Sequence, residues 1–348
     1  MVSLLTPAAA RVHIGLLIAL QVLSGLGEGV MRPAIQAMVA RWSAQKYHSI
    51  VVNGIETGME IGDVVAILVA GVLCDYGFAG GWPSVFYVFG MVSCVWSAAW
   101  FVLCYNSPFT HPLISTTERQ YWEKTISADD LVERPPTPLR EIFTSAPAWA
   151  LAIAGFANNW GFLTMTTCLP LYMHDVMGLD MTWNGALSAI AFTGSAIFTP
   201  IVGLAADWLR FPGRLSTNVV RKGFVVVGFA LSGLFLILVG YTGCNQILTV
   251  AVIFVYMSCV PIAYCTIIAN PLDLAPVHAG TLMGLTSTLS NVASIAAPLV
   301  VGALTVERSV RSEWQNVFFL AGGVYAFGAV VFLVFGSGNR QGWADAKG

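Results

Sequence analysis

The sequence predicts an all-α polytopic membrane protein. Two observations carry this. Of the 348 residues, 57% are hydrophobic and 10% are charged, against about 25% charged in a soluble domain. The apolar residues come in long runs without alternation, which fits bilayer-spanning helices of roughly 20 residues and not barrel strands. The 16 Lys and Arg against 18 Asp and Glu leave no basic excess, so no nucleic-acid partner is expected. The lipid bilayer is.

About nine spans are expected, at 14–41, 50–74, 83–105, 147–173, 184–208, 223–243, 247–269, 279–304 and 316–336. Trp42, Trp82, Trp149, Trp183, Trp208 and Trp314 fall near span ends, where interfacial aromatics belong. Basic residues are asymmetric. Arg41, Lys46, Arg119, Lys124, Arg134, Arg140, Arg210, Arg214, Arg221, Lys222, Arg340 and Lys347 fall on one side, and Arg11, Arg308 and Arg311 on the other. The first side is therefore expected to be cytoplasmic, with the C-terminus there and the N-terminus on the far side. Residues 1–10 carry no basic stretch of a signal peptide.

The first span carries Glu28 near its middle. A carboxylate there costs roughly 2.5–3.5 kcal/mol on insertion scales and should face protein or a water-filled cavity. On a helix Gln21, Ser24, Glu28 and Arg32 share one face. Glu28 reads as a proton- or ion-coupling group, or as a structural ion pair with Arg32 four residues on. The second span places Glu56, Glu60 and Asp63 on one face. They read as a second polar path for a cation, or as acids near the membrane surface. Gly54, Gly58 and Gly62 form a second stripe that would permit close helix contact.

The segment 106–146 is the one long polar stretch. It is expected to hold a short helix from Ser115 to Ile126, started by a Ser-Thr-Thr-Glu cap, and then a Pro-rich linker. It divides the chain into 1–105, with three spans, and 147–348, with six. The fourth span carries Asn158, Asn159, Trp160, Thr164, Thr166 and Thr167. The eighth carries Thr286, Ser287, Thr288, Ser290 and Asn291. These hydrogen-bonding groups suit either a solute with hydroxyl or carboxylate groups or helix-to-helix bonding.

Seven cysteines, Cys74, Cys94, Cys104, Cys168, Cys244, Cys259 and Cys265, show no CxxC and no metal-ligand spacing with histidine. They read as small buried hydrophobes, and no metal is expected. No nucleophile, base and orienting group cluster in the sequence, so no enzyme is expected either.

The loop 203–214 contains Gly203, Asp207 and Arg214. Asp207, just past a helix end, is placed to bond backbone donors of the next helix or to pair with Arg214, and so to latch two helices. Here the chain resembles the major facilitator superfamily, whose Gly-x-x-x-Asp-x-x-(Gly)-Arg element follows the second helix of each half. More closely it resembles the anion/phosphate transporter family that includes sialin and the vesicular glutamate transporters. The matching stretches are Gly25-Leu-Gly-Glu28-Gly-Val, Gly81-Trp-Pro-Ser-Val-Phe-Tyr-Val-Phe-Gly90, Ser107-Pro with His111-Pro and Glu118, Leu272-Asp273-Leu-Ala-Pro276, Ala279-Gly-Thr-Leu-Met-Gly284, Glu313-Trp-Gln-Asn-Val-Phe318 and Gln341-Gly-Trp-Ala344. They run in family order almost end to end.

The resemblance implies a major facilitator superfamily fold lacking its first three helices. It implies a secondary active transporter of small organic anions, a symporter working by alternating access and coupled to protons or sodium, with no cofactor. Glu28 matches the family's intramembrane glutamate. Gln21 and Asn158 stand where members place arginines, and Asn159-Trp160 matches the Asn-Trp of sialin-like members. Arg32 is a candidate replacement for the missing positive charge. Gln21, Arg32, Asn158, Asn159 and Asn291 are the substrate-facing candidates. The family occurs in plasma, lysosomal and vesicle membranes. A different class of function, a truncated non-transporting or regulatory membrane protein, or an incomplete gene product, is the alternative.

Overall fold

The computed structural model describes residues 2–43, 47–105, 107–125, 137–175, 181–210, 213–243, 245–305 and 310–345. Among these there is helix and no strand. Each expected span is a helix or a broken helix. The first is α2 (Ile14–Gly29) followed by α3 (Met31–Trp42). The break has a local cause. Pro33 lacks the N–H that would reach back to Gly29, and its ring crowds that carbonyl. The others are α4 (His48–Tyr76), α5 (Trp82–Leu103), α8 (Ala146–Asp175), α9 (Met181–Arg210), α10 (Thr217–Val239), α11 (Gln246–Leu274), α12 (Ala279–Leu304) and α13 (Arg311–Phe335).

Eight stretches among the described residues are long and apolar enough to cross a membrane. The ninth helix, α8, is 30 residues long, and its adjacent Asn158 and Asn159 lower its hydropathy. It nevertheless lies in the bundle, packed on α12 and α13.

A short helix that the hydropathy pattern did not mark, α1 (Val2–Val12), rests on α2 and α5. It ends where His13 turns extended and its imidazole accepts from the Gly15 amide at 3.0 Å. In the polar segment α6 (Thr116–Thr125) starts as expected: the Ser115 hydroxyl accepts from the Glu118 amide at 3.1 Å. A single turn, α7 (Leu139–Thr144), leads into α8. Ile126 and the Pro-rich stretch before residue 137 lie outside the described residues, as do Lys46, Arg134, Arg308, Lys347 and Cys244.

The main core lies among α8 and α10–α13. Tyr172, Trp314 and Phe318 form an aromatic cluster with ring centroids 5.3–6.4 Å apart. The hydroxyls of Tyr256 and Tyr325, both fully buried, meet at 2.9 Å. A second apolar cluster joins the first half of the chain to the second. It holds Val39 and Val52 against Ile268, Leu272, Ala279 and Met283. By contrast α2 has no buried residue, and Leu16, Ile18, Val22 and Leu23 are exposed. Lipid is the natural solvent for such an apolar face.

Two sequence expectations are corrected. The stripe Gly54, Gly58 and Gly62 has open space where a Cβ would stand. It lies on the side of α4 opposite the acids, and the acid side is the one that meets α9 and α11. The cysteines are not uniformly buried: Cys259 and Cys265 are, Cys94 and Cys104 are half-buried, and Cys74 is exposed.

Candidate functional site

The seam between α3–α4 and α8–α12 holds two adjoining cavities of about 490 and 430 Å³. They share a wall made by Arg32, Met59, Asn158, Asn159 and Tyr264. The first opens on Glu28 and on Ser287 and Asn291 of α12. The second opens on the acids of α4 and on Ser195 of α9.

At the shared wall three side chains close a triangle. Arg32 Nη1 donates to Glu56 Oε1 at 2.9 Å and to Tyr264 Oη at 2.6 Å. Tyr264 Oη donates to Glu56 Oε2 at 2.8 Å. The guanidinium also lies 5.8 Å from the Tyr264 ring centroid. The Glu56 side chain is 8% exposed and that of Arg32 is 34% exposed, so the cation is the more open of the two to the cavities. Both N–H groups of Nη1 are used within the triangle. Among the described residues, Nε and Nη2 make no hydrogen bond or ion pair. That edge of a guanidinium is the one that grips a carboxylate or phosphate with two parallel bonds.

Glu28 is bonded differently from the pair weighed in the sequence. It accepts from the Ser24 hydroxyl at 3.1 Å and is exposed at the first cavity. Arg32 is not its partner, because the break after Gly29 separates their helical faces and Glu56 is nearer. Gln21 is exposed and lines neither cavity. Asn158, Asn159 and Asn291 do line them. Asn159 is in part a helix-to-helix tie, since Nδ2 donates to the Ser290 carbonyl at 2.7 Å and the Ser294 hydroxyl at 2.8 Å.

Asp63 lies next to the midpoint of α4, and Glu60 one turn before it. The acids therefore sit well inside the helix and not at its ends. Glu60 Oε1 accepts from the Ser195 hydroxyl at 3.0 Å. Glu60 and Asp63 both line the second cavity.

Beyond the apolar seam cluster lies a charged end. Asp273 of α11 takes Arg210 at 3.2 Å and the fully buried Arg221 at 2.7 Å. Asp207 pairs with Arg210 at 3.7 Å. The expected pair of Asp207 with Arg214 is corrected: Arg214 lies over the Trp208 ring at 3.8 Å. Arg210 is one turn from Asp207 on the same helix, whereas Arg214 lies past the helix end. Gly203 stands where α9 crosses α4, and a Cβ there would come within 2.7 Å of the Asn53 side chain.

Comparison with known proteins bears on this arrangement. The model of the Major Facilitator Superfamily matches residues 1–298. The chain belongs to the Major Facilitator Superfamily. A Drosophila ananassae protein provisionally named an inorganic phosphate cotransporter is 36% identical over 344 residues, 98% of this chain and 71% of the relative. Sialin of Ovis aries is 36% identical over 98% of this chain and 68% of its own length. Vesicular glutamate transporter 2 of Homo sapiens is 37% identical over 99% and 59%. The chain thus spans between about three-fifths and seven-tenths of these relatives. They are named as transporters, not enzymes, and nothing among them favours the non-transporting alternative. In fold the chain is similar to the proton:xylose symporter XylE, with TM-score 0.73 at 12% identity, covering 93% of this chain and 72% of that one. The human organic anion transporter MFSD10 gives 0.68 at 15%, covering 95% and 74%.

Within this superfamily member the sequence singled out Glu28, Arg32 and the α4 acids, because charges inside apolar runs stand out. It missed Tyr264, Ser195 and Asp273 as partners. Tyr264 reads as one more aromatic of an apolar helix, and Glu56 lies 208 residues away along the chain.

Proposed function

We propose that this protein is a secondary active transporter of small anions, working by alternating access and coupled to protons through Glu28. The observation that carries the anion reading is the unused Nε/Nη2 edge of Arg32 at the wall shared by the two cavities. Relatives named for phosphate and glutamate transport support the same class of substrate.

In this reading residues 1–105 and 147–348 act as two lobes joined by 106–146. They rock about the cavities as repeat-built transporters do. The apolar cluster of Val39, Val52 and Leu272 closes one end of the seam. Gly203, Asp207 and the charges around Asp273 latch that end, with Arg214 held outside the pairing. The positive-inside pattern makes that end cytoplasmic, in a plasma, lysosomal or vesicle membrane. An entering anion takes the Nε/Nη2 edge of Arg32 while Nη1 stays with Glu56. Glu28, bonded by the Ser24 hydroxyl and open to the cavity, exchanges a proton with water and carries it through the rocking step. Sodium is the second candidate for the coupling ion, and replacement of sodium by choline in the flux assay separates the two.

The test of the anion site is Arg32→Lys, which keeps the charge and removes the two-pronged edge. A hydrogen bond to a charged group contributes about 1.5–3 kcal/mol, so apparent affinity for the transported anion should fall about tenfold or more in reconstituted vesicles. An unchanged affinity would remove Arg32 from the site.

A further inference from the structure

The first cavity faces Glu28 and the second faces Glu56, Glu60 and Asp63, yet among the described residues Arg32 is the one cation lining either. Glu56 already uses Arg32. Among the described residues Glu60 and Asp63 of the second cavity form no ion pair, and Arg32 acts on them only at longer range. This surplus is a poor setting for an anion alone.

The other walls of that cavity say which cation fits. Phe162 and Phe192 line it with their rings in an edge-to-face pair at 6.4 Å, and Val260 and Pro261 add apolar surface. No group of three His, Cys, Asp or Glu among the described residues is close enough to hold a metal ion. Spread carboxylates with aromatic and aliphatic walls suit an organic ammonium, which donates hydrogen bonds to carboxylates and is attracted to aromatic faces. One further group is unspent. Asn158 is 7% exposed and lines the cavity, and its Oδ1 has no hydrogen-bond partner. A buried amide oxygen left without a donor is destabilising, and an ammonium N–H would satisfy it.

We infer that the cavity between α4, α8, α9 and α11 is a subsite for an organic ammonium group, held by Glu60 and Asp63 with Asn158 as acceptor. The ammonium belongs either to a free amine or to a zwitterion whose acid end reaches Arg32 through the shared wall. This goes beyond the anion reading and does not need it, because binding is read without any flux.

The experiment is equilibrium dialysis of the purified full chain with three radiolabelled probes of one carbon skeleton: butylammonium, butyrate and γ-aminobutyrate. Saturable butylammonium binding is expected, weakened at least tenfold by Asp63→Asn and by Glu60→Gln. Asp63 is exposed, so its variant should fold, and gel filtration checks this. Phe192→Leu, which removes the ring without touching charge, should weaken binding several-fold. If γ-aminobutyrate binds more tightly than either other probe and loses affinity in both Arg32→Gln and Asp63→Asn, the ammonium is that of a zwitterion. If butylammonium binds at least as well, the ligand is a free amine. Butylammonium binding that is absent, or equal in wild type, Asp63→Asn and Glu60→Gln, overturns the inference.

Discussion

Arg32 is fixed by partners far from it in sequence: Glu56 is 24 residues away and Tyr264 is 232. Desolvation makes the pair sensitive to the loss of one member, because removing one charge leaves the other buried. Arg32→Met should therefore destabilise the fold by about 3–5 kcal/mol, through the stranded Glu56. Arg32→Met combined with Glu56→Leu should recover most of that loss. Denaturation in mixed micelles measures the cycle, and equal losses in the single and double variants would show that the two residues are not coupled. The charges themselves were legible in the sequence, since each breaks an apolar run. Their pairing was not. Helical spacing suggested Glu28 for Arg32, and only the break at Pro33 and the approach of α4 redirect the guanidinium to Glu56.

At the scale of elements the helices were readable because a bilayer demands length and apolar content, and those are local properties of the chain. Their contacts were less so. The glycine stripe of α4 looked like a packing face and is open, whereas Gly203, flagged as part of a loop motif, is where α9 crosses close against α4. Which glycine meets a neighbour depends on the rotation of each helix, which side chains from the rest of the bundle set. Gly203→Val would force its side chain into Asn53. Overpacking of this kind costs about 1–3 kcal/mol, relieved when the seam parts. Val39→Cys, in the buried seam cluster, should then react with maleimide about tenfold faster or more in the Gly203→Val background, as read by peptide mass spectrometry. An unchanged rate would show that the crossing of α4 and α9 does not hold this end shut.

For the whole molecule, the two cavities, the apolar seam and the charged end follow one another along α11. Tyr264, Ile268, Leu272 and Asp273 mark these levels in order. Such a series gives alternating access its parts: a site, a closure and a latch whose pairs can break. The family was legible from ordered motifs along the chain, and the comparisons place it in the same superfamily. The second cavity was not, because its walls come from α4, α8, α9 and α11, and no local pattern joins them. The most direct test of transport uses proteoliposomes holding the full chain, with an inward proton gradient and labelled phosphate, glutamate or another small organic anion outside. The account predicts uphill accumulation of at least one anion. In Glu28→Gln that accumulation should be lost while anion exchange without a gradient persists. No flux of any of these anions, or gradient-driven uptake indifferent to Glu28→Gln, would contradict it.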